Sequence, residues 1–182
     1  MITAIGMIEL TSIAKGFEVA DTLLKTAEVQ ILTNRTICPG KFMVMIAGDI
    51  DAVKSSMAAG LEIAGETGVD DLIIPNVHPD VFPAISGTRV IEETGALGII
   101  ETFSVASIIE AADAAVKAAN VQLMEIHLAM AIGGKGYLTL TGDVAAVTAA
   151  VEAGADYIKS KGLLVSKVVI PSPRKEILSD KI

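Results

Sequence analysis

The chain has 182 residues, 52% of them hydrophobic but only 3% aromatic, which allows one large domain or two small ones with a core of Ala, Val, Ile, Leu and Met. Its formal net charge of −8 excludes the basic footprint that nucleic-acid binding needs. No apolar run approaches the about 18 residues of a membrane span, no secretory signal opens the chain, and one cysteine cannot close an intrachain disulfide; a reducing, cytoplasmic location is expected, with no membrane and no nucleic-acid partner.

Residues 3–10 form an apolar, partly alternating run that ends at Thr11-Ser12, a helix-start signal. Ile13, Phe17, Ala20, Leu24 and Ala27 then recur at helical spacing and predict the buried face of a first helix. Residues 28–35 and 42–48 read as strands around a Pro39-Gly40 turn. Asp49 stands where an N-cap would satisfy the free amides of a second helix. Gly60 lies inside that helix, where glycine costs about 1 kcal/mol relative to alanine, so a close packing contact is expected there. Residues 71–75 read as a last strand, and Glu92-Glu93-Thr94-Gly95 as a short polar link.

The same order then repeats. At an offset of 92, Ala4, Gly6, Ile8 and Glu9 meet Ala96, Gly98, Ile100 and Glu101, and Lys25 meets Lys117. The offset becomes 94 for Gly40-Lys41 against Gly134-Lys135 and for Gly48-Asp49 against Gly142-Asp143, then 96 for Ile74-Pro75 against Ile170-Pro171. The counterparts of the first helix face, Val105, Ile109, Ala112, Val116 and Ala119, are all apolar, which predicts the same buried face in both copies. Asp143 repeats the capping Asp49, Gly154 repeats Gly60, and residues 164–170 are the final strand. Each copy therefore reads as a βαββαβ module of the α/β class, over residues 1–91 and 96–182.

The opening strands Ala4-Ile5-Gly6-Met7-Ile8-Glu9 and Ala96-Leu97-Gly98-Ile99-Ile100-Glu101 resemble that of bacterial microcompartment (BMC) shell domains. The stretch from Glu110 to Val121 resembles the first helix of that family, Gly142 to Val147 the start of its second, and Val169 to Pro173 its last strand. The resemblance covers essentially the whole chain, twice. It implies two tandem ferredoxin-like α+β domains and a homotrimer forming a pseudohexameric disc. Such discs tile edge to edge with other BMC shell proteins into a facet of the compartment shell. The loop between the two middle strands lines a pore in that family. Here it maps to Thr36, Ile37, Cys38, Pro39, Gly40 and Lys41 in copy one, and to about Ala131–Gly136, with Ile132, Gly133, Gly134 and Lys135, in copy two. The edge lysine maps to Lys25 and Lys117, whereas Asn76 and Ser172 stand near the place of the usual edge arginine.

Cys38 is the only thiol, and copy two aligns Ile132 or Gly133 with it. Resemblance to one member of the tandem class, carried by Glu9–Gly16, Thr36–Phe42, His78-Pro79 and Pro83–Gly87, implies an iron–sulfur (4Fe-4S) cluster, one per trimer, held by Cys38 of three subunits. Four thiolates are usual for such a cluster; threefold symmetry supplies three. The implied role is electron or cluster transfer across the shell, with encapsulated redox enzymes as further partners. Lys41 is positioned in sequence to favour the thiolate by its charge.

The remaining candidates favour structural roles. His127 lies on a predicted strand and His78 in a turn, and Glu9 and Glu101 recur once per copy. Gly133-Gly134-Lys135-Gly136 lacks the full phosphate-loop spacing and reads instead as a pore lining where Lys135 meets anions. No catalytic motif is present, so the chain reads as a non-enzyme. Three other readings stand beside the cluster-bearing tile: a tile with a plain small-molecule pore, a trimeric ligand-binding regulator, and a thiol enzyme.

Overall fold

β1 (Ala4–Leu10) is buried at every residue because it lies in the middle of its sheet, bonded to β3 (Lys41–Gly48) on one side and β4 (Gly68–Pro75) on the other, both antiparallel. β2 (Val29–Ile37) pairs with the far side of β3, which gives the order β2-β3-β1-β4. Helices α1 (Ile13–Thr26) and α2 (Ile50–Ala64) make the βαββαβ connections of a ferredoxin-like module. These descriptions come from a computed structural model that describes residues 2–88 and 95–178.

The described chain divides into two compact units, the first running to Val77 and including Ala129–Gly134, the second holding His78–Leu128 and the residues from Lys135 onward. The boundary expected near residue 91 therefore differs from the packing, which assigns residues 78–88 to the second unit. There, α3 (Val81–Ser86) packs on β6 (Gln122–Leu128) and α4 (Val105–Ala118); sequence reading had no helix at this place. β5 (Ala96–Thr102), β7 (Gly136–Gly142), α5 (Val144–Lys159) and β8 (Leu164–Ile170) complete the unit, with sheet order β6-β7-β5-β8. The duplication reaches the backbone irregularities: β2 shifts register between Ile31 and Thr33, and β6 between Leu123 and Glu125, 92 positions on.

Local chemistry explains the helix starts. Ser12 accepts from the Lys15 amide at 3.2 Å, Ser104 from the amides of Ala106 and Ser107, and Asp49 from the Asp51 amide at 3.1 Å, each satisfying an amide that the first helical turn leaves free. Asp143 occupies the matching N-cap position with extended backbone angles but makes no side-chain cap bond, so the expected capping holds at Asp49 and not at Asp143.

Gly60 and Gly154 do sit at close helix contacts. A Cβ on Gly60 would stand 2.6 Å from Leu23 Cδ2, and one on Gly154 would stand 2.8 Å from both the Ala111 carbonyl oxygen and Ile100 Cδ1. Gly16 makes room for the buried Phe42 ring.

The predicted buried face of α1 is corrected. Gly16, Val19, Ala20 and Leu23 are buried, whereas Ile13, Phe17 (60% exposed) and Leu24 face outward. The buried row packs α1 against α2, where Gly60 admits Leu23, and against β3, where Gly16 admits Phe42, so the close contacts made at glycine choose the inner face. In the second unit the equivalents Val105, Ile109 and Val116 are buried as predicted, and Ala119 is half-buried.

Candidate functional site at the Cys38 loop

Ile37 pairs with Lys41 at the end of the β2–β3 hairpin, leaving Cys38, Pro39 and Gly40 to make the turn. Gly40 takes a positive φ of 79°, a conformation that costs glycine little. Ile37 is buried, Thr36, Pro39 and Gly40 are exposed, and the Cys38 thiol is half-buried. The Cys38 amide donates to the Ala129 carbonyl at 3.1 Å, so a segment from copy two fixes this loop within the first unit.

That segment, Ala129–Gly134, carries most of the second predicted pore loop. Ala131, Gly133 and Gly134 all have positive φ. A Cβ on Gly134 would stand 3.1 Å from the Cys38 carbonyl oxygen and 3.4 Å from Pro39 Cδ, so the approach of the two loops depends on glycine there. The structure thus brings Cys38 and Pro39 together with Gly134, and places Ile132 and Gly133 in the same unit. Lys135 belongs to the second unit.

Both loop lysines pair with a glutamate of the first strand of their own copy. Lys41 donates to Glu9 at 2.6 Å, with side chains 29% and 7% exposed. Lys135 is paired with Glu101 in the same way and stays partly exposed. Sequence reading had Glu9 and Glu101 as structural residues but missed their partners. The recurrence of Gly40-Lys41 at Gly134-Lys135, in step with Glu9 at Glu101, was the signal that could have found them.

Lys25 and Lys117 close the last turns of α1 and α4, each paired with an aspartate one turn back, Asp21 and Asp113. Asp113 also accepts the His78 amide at 2.8 Å, which fixes the turn that precedes α3. His127 stacks on Tyr137 with ring centroids 5.0 Å apart and lies 3.4 Å from Glu125. Burial, and then the Glu125 carboxylate, push the Tyr137 phenol above its ordinary 10.0. Any stability linked to this group is present below pH 10.0 and lost as pH rises through the raised value. Ultraviolet titration of Tyr137→Phe against the parent is expected to remove an ionisation above pH 10.0, and Glu125→Gln to move that ionisation down.

Among the described residues, no group of three or more His, Cys, Asp or Glu side chains is placed to hold a metal ion. No helix of the described residues is long and apolar enough to cross a membrane.

The BMC domain family matches this chain twice, over residues 4–77 and 96–173. The chain belongs to the BMC-domain family. Bacterial microcompartment shell protein PduT of Citrobacter freundii is 50% identical over 177 residues, spanning 97% of this chain and 96% of that relative. Shell protein EutM of Salmonella typhimurium is 48% identical over 84 residues, 45% of this chain and 83% of the relative. A crystal structure of a microcompartments protein from Desulfitobacterium hafniense DCB superimposes with a TM-score of 0.94 at 49% identity, over 99% of this chain and 100% of that one. A fused permuted hexameric shell protein from the RMM microcompartment shares the fold, with a TM-score of 0.65 at 24% identity over 87% of this chain and 82% of that one. This tandem BMC protein is accordingly a structural component of a bacterial microcompartment shell.

Proposed function

We propose that three copies of this chain form a pseudohexameric tile of the shell, and that their Cys38 thiolates together hold one 4Fe-4S cluster at the trimer axis. The tile reading is supported by two BMC domains in one chain and by the full-length likeness to PduT. Lys25 and Lys117 stand at equivalent, solvent-facing helix ends, which suits contacts between the edges of neighbouring tiles and other shell proteins. Redox enzymes enclosed by the shell are the natural exchange partners of such a centre.

The observation that carries the cluster reading is the setting of Cys38. It is a half-buried thiol at the tip of a hairpin, held by its own amide on the Ala129 carbonyl. The donor set fits the group on one condition. A soft thiolate is the right ligand type, but one chain offers a single thiol and, among the described residues, no neighbouring acid or imidazole cluster, so three chains must contribute. A bound cluster would supply one-electron transfer. Cys38 would bind it, and the glycine-dependent approach of the Ala129–Gly134 segment would hold the loop in place.

Anaerobic purification with iron and sulfide analysis tests this. One cluster per three chains is expected for the parent, and loss of both elements for Cys38→Ser with the oligomer intact. Full iron retained in Cys38→Ser would overturn Cys38 as the ligand, and an iron-free parent after anaerobic reconstitution would leave the tile with a plain small-molecule pore.

A further inference from the structure

We infer that the open face of α1 in the first unit is the docking site for the segment that follows β8 in a second copy of this chain. The internal repeat shows what covers such a face. After β4, the chain runs through His78 into α3, which packs on β6 and α4. In that setting Val105, Ile109, Ala112 and Val116 are buried, and Val81 of α3 is fully buried. One polar bond pins the arrangement, from the His78 amide to the Asp113 carboxylate.

The same parts occur again at the other ends of the two copies. On α1, Ile13, Phe17 and Leu24 correspond to Val105, Ile109 and Val116, and they are exposed. Asp21 corresponds to Asp113; its Oδ2 takes Lys25, as Asp113 Oδ2 takes Lys117. After β8, the segment Pro171–Arg174 leads into a short 3-10 turn, Lys175–Leu178. At the offset of 96 that aligns Ile74-Pro75 with Ile170-Pro171, Arg174 stands for His78 and Ile177 for Val81. Ile177 is 55% exposed. The turn after β8 is thus the counterpart of α3, and α1 is the counterpart of the face that α3 covers.

Composition agrees with this pairing. The edge strand under the open face is more polar than its counterpart: Asn34 and Thr36 replace the buried Ile126 and Leu128. The incoming stretch Arg174-Lys175-Glu176-Ile177 is likewise more polar than its counterpart His78-Pro79-Asp80-Val81. Glu18 and Asp21 on α1 are acidic and exposed, and Arg174 and Lys175 lead the segment. The Arg174 amide takes the role of the His78 amide on the Asp21 carboxylate. Such a contact joins two different surfaces head to tail, so it produces a closed ring when the rotation allows. The inference rests on the trimer reading above and specifies the surfaces that make it.

Photo-crosslinking tests it in the otherwise native chain, with benzoylphenylalanine in place of Ile177. Irradiation is expected to give covalent dimers and trimers, with crosslinked peptides containing residues 13–24 of another chain, as shown by mixing isotopically light and heavy protein. A second measurement uses Ile177→Glu, whose site is exposed in the single chain. It is expected to raise the concentration for half-dissociation of the trimer about 30-fold or more without changing the circular dichroism spectrum. A parent that is trimeric by native mass spectrometry, but shows crosslinks away from α1 or an unchanged dissociation midpoint, overturns this docking and leaves the tile intact. A monomeric parent overturns both.

Discussion

Lys41→Met is expected to lower the unfolding free energy by about 3 kcal/mol, because it leaves a buried carboxylate without its partner. Glu9 is 7% exposed and its ion pair with Lys41 spans 2.6 Å. At that exposure water solvates Glu9 poorly in place of the lost ammonium, and no second cation is paired with it among the described residues. The double change Glu9→Leu with Lys41→Met is expected to recover most of the loss, since removing both charges also removes the cost of desolvating them. Lys135→Met should cost less than Lys41→Met: Glu101 is 31% exposed and keeps access to solvent, which weakens the pair and softens its loss. Denaturant unfolding of all four proteins at one fixed protein concentration measures the series. Equal losses for Lys41→Met and Lys135→Met would contradict the burial argument.

Gly154→Ala is the second large effect, about 2–3 kcal/mol of destabilisation, although alanine is the better helix former by about 1 kcal/mol. The added methyl would lie 2.8 Å from the Ala111 carbonyl oxygen. That oxygen belongs to the backbone of α4 and cannot rotate aside, so α5 and α4 must separate. Gly60→Ala tests the reasoning from the opposite side. Its methyl meets the ends of two side chains, Leu23 Cδ2 at 2.6 Å and Ile8 Cδ1 at 3.0 Å, and those can adjust. A loss of about 1 kcal/mol is expected there. If Gly60→Ala proves the more damaging of the two, the contrast between yielding side chains and fixed backbone is wrong.

Much of this fold was legible because its signals are local. The alternation in residues 3–10, the cap at Asp49 and the glycines inside two helices each act within a few residues or against an adjacent element, and repetition doubled every signal. What stayed hidden depended on distant partners. Lys41 looks like a loop charge beside a thiol until β1 and β3 are set in register and Glu9, 32 residues earlier, comes within 2.6 Å. The face of α1 was misread because periodicity marks which residues are apolar, not which neighbour is present to cover them; its inner row is chosen by small residues at Gly16 and Ala20. The helix at Val81–Ser86 contains Pro83 and is too short to show a period, and its partner elements lie later in the chain. At the candidate site, the thiol and its turn were plain in the sequence. Its hydrogen bond to Ala129 joins residues 91 positions apart, beyond any local pattern.

The exchange of segments between the two copies has a consequence for the order of synthesis. The first unit includes Ala129–Gly134, so it is unfinished when its own last strand has left the ribosome. The Cys38 amide finds its carbonyl only after β6 has emerged, more than a third of the way through the second copy. At the usual about 5–20 residues per second, the nascent first module waits several seconds in an incomplete form. The second unit in turn begins with residues 78–88, made before its own first strand. Each unit thus takes residues from the other repeat, so the last contacts of the first unit form while the second copy is being made.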